Sequence, residues 1–402
     1  MYIELAIVAL FIFIYSLVAG RVERSAISGP MVFVIVGFSL GPYGLGWFKG
    51  DATSADLRLL ADLTLALILF TDAANSDLAT LKRQFRIPSR MLMLGLPGVI
   101  ALGIVTALLM FDFLSLFEAA ILGTMLAATD AALGKAVITN KVVPSRLREG
   151  LNIESGLNDG ICVPILLFFI ALAVSAESGQ REVSAIALLV QEVGIGLIVG
   201  LGLAFIGVKL LHWCQKQGWL TDIWTQVTVI ALAIASFAIA QSLHGSGYIA
   251  AFTGGLLFGY FAKDATHKLV LAAEGTGETL ALVTWLMFGA MVISPALQLF
   301  SWEVILYAVL SLSIIRIVPI YISLTGLGES NASRFFLGWF GPRGLASIVF
   351  AIIVINAGVP NAEFLALVVT CTVFISLIAH GITARPLARW IGRKEKVNRE
   401  SN

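Results

Sequence analysis

The stretch EAAILGTMLAATDAALGKAVITN, residues 118–140, carries Asp130 near the middle of a mostly apolar run. A second stretch follows soon after, LREGLNIESGLNDGICVPILLFF, residues 147–169, and it holds Glu154 and Asp159. Each run is long enough to cross the hydrocarbon core of a bilayer as a helix. Ionisable groups inside a membrane are costly and commonly mark a functional site. The two stretches therefore predict a membrane protein whose buried carboxylates serve a function.

The composition of the whole chain agrees with a membrane protein. The 402 residues are 58% hydrophobic and 13% charged, with a mean hydropathy of +0.94, whereas soluble domains carry about 25% charged residues. A net charge of +1 gives no field that would attract nucleic acid. The three cysteines are scattered, so neither a disulfide framework nor a zinc site is expected, and no cofactor is predicted. The histidines are interpreted as ordinary interfacial residues near segment ends, at positions 212, 244, 267 and 380.

Apolar segments of bilayer-spanning length recur along the chain. We predict about thirteen transmembrane helices that form one all-α membrane domain, residues 1–386, followed by a short cytoplasmic tail, residues 387–402. The first segment is interpreted as a retained span, because its n-region is acidic and its apolar run is longer than that of a cleaved signal peptide. The predicted spans cover residues 2–20, 29–47, 56–72, 89–111, 116–141, 147–174, 184–213, 223–243, 247–262, 274–297, 303–326, 333–356 and 362–386.

The lysines and arginines set the predicted orientation. Twenty of the 26 basic residues fall in or near the loops after odd-numbered spans or in the tail, and three fall in or near the opposite loops. The remaining three are Lys135, Arg316 and Arg343, within the membrane. Cytoplasmic loops are enriched in Lys and Arg. We therefore predict an outside N-terminus and a cytoplasmic C-terminus, in a multi-pass protein of the plasma membrane, which in a bacterium is the inner membrane.

The spacing in the sixth span places several polar side chains on one side of a helix. Ser155 lies four residues before Asp159, and Asn158 is its neighbour; residues three or four apart share a helix face. Together with Asp130 they offer hard oxygen ligands, which suit a small alkali cation better than a soft metal. The alternative is that both aspartates merely pair with two buried arginines, but Glu154 then leaves at least one carboxylate without a basic partner.

The pair Asn158-Asp159 has a chemical consequence. Two adjacent carboxylates would repel each other, and one would keep its proton. An amide at position 158 leaves one titrating carboxylate, which can hold either one proton or one cation. Competition for Asp159 would make the exchange of proton and cation obligatory, and one proton against one Na⁺ predicts electroneutral exchange.

Two spans show signs of interrupted helices. Small residues surround Asp130 in the fifth span, and residues 341–344, Gly-Pro-Arg-Gly, stand at the centre of the twelfth, SRFFLGWFGPRGLASIVFAIIV. Proline removes a helix donor and glycine weakens a helix. The two positions correspond if spans 1–6 and 8–13 are inverted repeats with span 7 as a linker. Paired interruptions of this kind are typical of a transporter binding site at the bilayer midplane, although a simple kink remains an alternative for the twelfth span alone.

The buried arginines have predicted electrostatic roles. Arg343 would balance the partial negative charges of half-helix ends, or Asp130. Arg316 is the natural partner of Glu154, in a structural salt bridge inside the bundle. Asp72 follows an apolar run in the third span, where two interpretations remain open: a residue that caps a helix or faces water, or an entrance carboxylate for the cation.

Three segments resemble the conserved segments of NhaP-type sodium/proton antiporters, in the electroneutral Asn-Asp branch of the cation/proton antiporter superfamily. They are ATDAALGKAVI (128–138), NIESGLNDG (152–160) and GWFGPRGLASIVFAI (338–352), and the resemblance covers the whole transmembrane length. It implies a homodimer in which a core bundle, from spans 4–6 and 11–13 with two crossing broken helices, moves against an interface part, from spans 1–3 and 7–10. The movement would be an elevator-like alternation of access.

The resemblance also implies the site residues. The cation/proton-binding set would be Asp159, Asp130, Ser155, Thr129, Asn158 and Asp72, with Na⁺ held by the first four and the Thr129 carbonyl as a ligand. It maps the bundle salt bridge onto Glu154 and Arg316, and the arginine of the second broken helix onto Arg343. Many members have Asp-Pro at the first break, where this chain has Asp130-Ala131, so the break must depend on other residues.

The sequence thus predicts a secondary active antiporter, not an enzyme, that exchanges Na⁺ or Li⁺ for H⁺ and serves pH homeostasis. A K⁺/H⁺ antiporter is the close alternative, because both cations take oxygen ligands. A cation channel would show a filter-like loop, and an intramembrane aspartyl hydrolase would need two facing aspartates as an acid/base dyad; both are disfavoured. The predicted partners are the transported ions, membrane lipid and a second copy of the chain.

Overall fold

The computed structural model describes residues 2–23, 27–47, 55–76, 86–178, 182–262 and 266–400, and these are helices and short connections without a β-strand. The helices are α1 (Tyr2–Glu23), α2 (Gly29–Leu40), α3 (Ala55–Asn75), α4 (Arg86–Met110), α5 (Leu116–Met125), α6 (Ala131–Ile138), α7 (Ser145–Ser178), α8 (Glu182–Lys216), α9 (Asp222–Ser242), α10 (Gly247–Ala262), α11 (Thr266–Met287), α12 (Trp302–Leu312), α13 (Ile314–Ser323), α14 (Asn331–Trp339), α15 (Leu345–Asn356) and α16 (Ala362–Glu400).

The helices follow the order of the thirteen predicted spans. Helices α5 and α6 share the fifth span, α12 and α13 the eleventh, and α14 and α15 the twelfth. Among the described residues, eight helices are long and apolar enough to cross a membrane, and four shorter apolar helices accompany them. The prediction of an all-α polytopic membrane protein is confirmed.

Both predicted interruptions are present, and they meet. Helix α5 ends at Met125 and α6 begins at Ala131, while α14 ends at Trp339 and α15 begins at Leu345. The Asp130 N–H donates to the Pro342 carbonyl over 2.8 Å, which joins the two non-helical segments directly. The crossing of two broken helices is therefore confirmed.

Other helix ends differ from the prediction. Helix α11 begins at Thr266, eight residues before the predicted start of the tenth span, and the eleventh span is divided at Ser313, whose φ and ψ are −110° and −92°. Helix α16 does not end at residue 386, because Pro386 is accommodated inside it and the polar residues that follow continue the helix to Glu400. The predicted tail, residues 387–402, is thus largely the end of α16, and its last two residues lie outside the described part. Also outside it are some of the basic residues that set the predicted orientation: Arg24, Lys49, Lys82, Arg83, Arg181 and Lys263.

Helix α7 packs closely against α3 and α10 through glycines. Gly156 lies beside Asp72 of α3, and a β-carbon at Gly160 would overlap the ring of Phe252 in α10. These glycines let the helix that carries Asp159 approach two helices that do not belong to the crossing.

The other end of this region is held by a polar cluster. Arg146, at the start of α7, forms ion pairs with Glu395 of α16 and with Glu329, which precedes α14. Glu395 also accepts from the hydroxyls of Ser330 and Ser333, at 2.7 and 2.8 Å. Three helices, α7, α14 and α16, are thereby tied together at one end, which we call the Arg146 clamp.

Candidate functional site

Asp130 caps two half-helices at once. Its Oδ1 accepts from the N–H of Leu133 in α6 over 3.2 Å, and its Oδ2 accepts from the N–H of Leu345 in α15 over 2.9 Å. The first turns of a helix leave unpaired N–H groups and a partial positive charge. One carboxylate therefore satisfies donors of both half-helices.

Arg343 serves the opposite helix end. Its side chain is fully buried, and Nη1 donates to the carbonyls of Ala127 and Ala128 over 2.8 and 3.0 Å. These carbonyls follow the end of α5, where the unpaired C=O groups carry a partial negative charge. The guanidinium thus stabilises the first break, in the first of its two predicted roles, and the break needs no proline.

Asp159 lies on α7, beside the first break. Its side chain is 8% exposed, and Oδ1 has no hydrogen-bond partner in the described structure. The carboxylate lies next to the main chain of Thr129 and within electrostatic reach of Asp130 and Asp72. The carboxylate is hydrogen-bonded to the Thr129 main chain, and its Oδ1 is a buried acceptor without a partner among the described residues, which is costly.

Two further predicted ligands lie together at the same place. The Ser155 hydroxyl donates to the Thr129 carbonyl over 2.8 Å, so the two oxygens stand at hydrogen-bond distance. Thr129, Asp130 and Ser155 line a small cleft whose free volume of about 10 Å³ is on the order of a single water molecule. Val137 and Leu151 extend the lining of this cleft towards the connection between α6 and α7.

Asn158 is occupied by hydrogen bonds within the protein. Its amide Nδ2 lies 3.1 Å from the Ala127 carbonyl, 3.2 Å from Thr129 Oγ1 and 3.1 Å from Glu154 Oε1, and its oxygen accepts from Cys162. The side chain is completely buried. Asn158 therefore connects α7 to the first break, and its place in the cation/proton-binding set stays a prediction.

The predicted ion pair between Glu154 and Arg316 is present. Arg316 Nη1 lies 3.0 Å from Glu154 Oε1, and both side chains are 1% exposed. The same Oε1 accepts from Asn158. The pair thus joins α13 to the side of α7 that carries the candidate ligands.

Asp72 lies close to the candidate site. It is half-buried in α3, three residues before the end of that helix, and it packs beside Gly156 of α7. It interacts electrostatically with Asp130 and with Glu274 of α11. Its role as an entrance carboxylate for the cation stays a prediction.

The structure also assigns contacts to three side chains for which the sequence predicts no partner. His380 is buried at 2% exposure, because its ring packs against Trp339 at the end of α14, so its interpretation as an interfacial residue is wrong. Lys135 forms a half-exposed ion pair of 2.9 Å with Glu278, which joins α6 to α11. Ser347 donates to the Met125 carbonyl at the end of α5. No local sequence pattern marks the partners of these side chains.

Crossed broken helices around buried carboxylates, in a multi-pass all-α fold, define a secondary transporter for cations and not an enzyme. A family model described as "Sodium/hydrogen exchanger, transmembrane" matches residues 7–390. The chain therefore belongs to this family of NhaP-type cation/proton antiporters.

Curated relatives differ in the cation that their names carry. The chain is 28% identical over 401 residues to the K⁺/H⁺ antiporter NhaP of Alkalimonas amylolytica, which covers 97% of this chain and 67% of that protein. It is 24% identical over 376 residues to the K⁺/H⁺ antiporter NhaP2 of Shewanella baltica, with 91% and 63% covered. It is 29% identical over 289 residues to the Na⁺/H⁺ antiporter NhaS2 of Synechocystis, with 69% and 51% covered. The chain thus spans about two thirds of the length of the first two relatives.

A solved structure shares the fold. The sodium proton antiporter MjNhaP1 of Methanocaldococcus jannaschii, at pH 8, matches with a TM-score of 0.78 at 19% identity, over 95% of this chain and 100% of that one. At 19% identity, the similarity shows a common fold and nothing more.

Proposed function

We propose that this chain exchanges Na⁺ or Li⁺ for H⁺, one for one, by competition of the cation and the proton for Asp159. The observation that carries the proposal is the open Oδ1 of a buried carboxylate beside the Thr129 main chain, with the Ser155 hydroxyl within hydrogen-bond distance of the Thr129 carbonyl. Burial makes an uncompensated charge costly, so this carboxylate takes up either a proton or a cation. Occupancy by one excludes the other, which couples the two fluxes.

The charges around the site support 1:1 exchange. Asp130 is compensated by two helix N-termini, and the Glu154–Arg316 pair is neutral as a unit. Asn158 is an amide and carries no charge. Among Asp130, Glu154 and Asp159, the last is then the group that changes its protonation, and one Na⁺ replaces one H⁺ at it without net movement of charge.

The packing supports a movement of the core against the rest. We assign α4–α7 and α12–α16 to the transporting core and α1–α3 and α8–α11 to the interface part. Gly156 and Gly160 give α7 a contact surface with few protruding side chains towards α3 and α10. Such a surface suits the sliding of the core in an elevator-like exchange of access. Helix α1 leaves most of its apolar side chains exposed, and we propose that a second copy in the same membrane, the inner membrane in a bacterium, covers this face.

A K⁺/H⁺ exchange is the second candidate, because the first two relatives carry that name. The site does not favour Na⁺ over K⁺ by ligand type, since both take oxygens. Purified protein in liposomes with an internal pH probe separates the candidates. Addition of Na⁺ or Li⁺ outside acid-loaded vesicles should move protons out, and K⁺ should compete weakly. A K⁺ response stronger than the Na⁺ response would replace the first candidate by the second, and a membrane potential generated by turnover would contradict 1:1 exchange.

A substitution at Gly344 tests the double cap. A β-carbon at this position would overlap the carboxylate of Asp130, which cannot retreat without releasing the N–H of Leu345. Loss of one charge-assisted hydrogen bond corresponds to a fall in exchange of about tenfold or more in Gly344→Ala. Initial rates of proton movement measure it. Gly194→Ala is the matched control, because nothing lies within 4 Å of a β-carbon there, and equal rates in the two variants would refute the capping role.

A further inference from the structure

A buried imidazole stands at the end of the first half-helix of the twelfth span. His380 Nε2 lies 2.9 Å from the carbonyl of Trp339, the last residue of α14. Its Nδ1 lies 3.1 Å from Ser376 Oγ. The Trp339 and His380 rings also lie against each other, with centroids 5.3 Å apart.

The hydrogen-bond partners determine how the imidazole is used. A carbonyl can only accept, so hydrogen on Nε2 lets the imidazole donate to Trp339. Ser376 Oγ accepts from the main-chain N–H of Arg343 over 2.7 Å, and its own proton is then available for Nδ1. Nδ1 also lies 3.0 Å from the Ser376 carbonyl, which receives no hydrogen from the imidazole in this arrangement.

We propose that His380 is a positioning residue for cation/proton exchange, which holds the second break in the geometry that the cation site needs. The proposal rests on the proposed function. His380 fixes the end of α14 and, through Ser376, the main chain of Arg343. The Arg343 guanidinium in turn holds the carbonyls of Ala127 and Ala128, directly before Thr129. His380 thus acts on the candidate ligands through three linked contacts without touching the cation.

The position of His380 completes a pattern at the crossing. Asp130 caps the N-termini of α6 and α15, and Arg343 caps the end of α5. His380 supplies a side-chain donor for the remaining half-helix end, that of α14, where the Trp339 carbonyl also accepts from the Gly341 N–H. A lysine or arginine could also donate to this carbonyl, but it would add a second fixed positive charge in the chain of contacts that leads to Arg343. A neutral imidazole donates without changing the charge of the site.

Two substitutions at position 380 separate this role from simple packing. Leucine fills similar space without a donor, whereas the glutamine amide can still donate to the Trp339 carbonyl. His380→Leu should raise the apparent KM for the cation about tenfold, as expected for a lost buried hydrogen bond, and His380→Gln should restore most of the affinity. A KM for His380→Leu equal to wild type would overturn the proposal, and so would a His380→Gln variant as impaired as the leucine variant.

A third variant keeps the test decisive if His380→Leu does not fold. Ser376→Ala removes one hydroxyl and cuts the connection between the imidazole and Arg343, so it should also raise the apparent KM. Thr372→Val is its control, because that hydroxyl is buried one turn earlier on α16 and donates to the Val368 carbonyl of its own helix. Equal KM values for the two variants would overturn the proposal. Wild-type protein in the same vesicles distinguishes a failure of the His380 proposal from a failure of the proposed function. Absence of exchange in the wild type would refute the antiport function itself.

Discussion

The Asp159→Asn variant is expected to abolish cation-driven proton movement in proteoliposomes while the protein remains folded. The amide has nearly the shape of the carboxylate, but it neither titrates nor carries a charge. It therefore does not take up the proton and the cation in turn. Removal of a buried charge also lifts its desolvation cost, so the melting temperature in detergent should stay equal or rise. Addition of Na⁺ should raise the melting temperature of the wild type, because a ligand that binds the folded state stabilises it, and this shift should vanish in the variant.

Asp62→Asn is the matched control for that experiment. Asp62 is also a buried aspartate within a span, at 9% exposure, but its Oδ1 accepts from the hydroxyl of Tyr248 in α10. It lies on α3, and its carboxylate already has partners in the protein, including Arg58. The control should keep both exchange and the Na⁺-dependent shift. Exchange that persists in Asp159→Asn would refute the competition mechanism.

The Arg316→Met variant should lose stability rather than a single transport step. Removal of the Arg316 guanidinium leaves Glu154 charged and buried without its partner, and breaking a buried ion pair costs about 3–5 kcal/mol. We expect a large fall in melting temperature and little folded protein in the membrane, measured by fluorescence-detected size exclusion. A partial loss of transport should follow, because Glu154 also holds Asn158.

The ion pair between Lys135 and Glu278 supplies the control. Its N–O distance of 2.9 Å is close to that of the buried pair, but its side chains are 51% and 53% exposed. Exposed pairs contribute up to about 1 kcal/mol, so Lys135→Met should change the melting temperature little. The double variant Glu154→Leu/Arg316→Met should recover stability relative to Arg316→Met alone. A double variant less stable than Arg316→Met would contradict the uncompensated charge as the cause.

The sequence predicts those parts of the site for which few interaction partners or backbone conformations are possible. Charged groups inside the bilayer are rare, so Glu154 and Arg316 could be matched as partners before their contact was known. Glycine and proline at residues 341–344 mark an interruption by their own backbone chemistry. The first break, at Asp130, has no proline beside it. Its predicted place depends on the small residues around Asp130 and on the correspondence of the fifth span with the twelfth.

The remaining parts depend on contacts between residues far apart in the chain. The two acceptor roles of Asp130 involve Leu133 nearby and Leu345 more than two hundred residues away, and no spacing rule connects the second. Asn158 is predicted from the charge it lacks, yet its place is set by hydrogen bonds to Ala127 and Thr129, which only the fold brings near, and to Glu154 one turn earlier.

Helix ends differ from the predicted span ends where contacts elsewhere in the fold hold a longer helix. The thirteenth span is predicted to end at residue 386, but Pro386 lies inside α16, and the residues after it continue the helix to the Arg146 clamp. His380 is likewise predicted near a segment end, but it is buried against the end of α14. In the eleventh span, Pro319 lies inside α13 and the division falls at Ser313, which has no such local mark.

The Arg146 clamp fixes the distance between the start of α7 and the end of α16. Helix α16 rises about 28 Å between Ser376 and Glu395, at 1.5 Å per residue, and its far end is fastened to the start of α7, the helix that bears Asp159. Paired spin labels placed near the clamp on α7 and α16 should therefore report one fixed separation in all conditions. A label on α16 paired with one on α11 should instead show two separations whose proportions change with Na⁺ and pH. Such a pair of spin labels would report the position of the transporting core, without any probe inside the ion pathway.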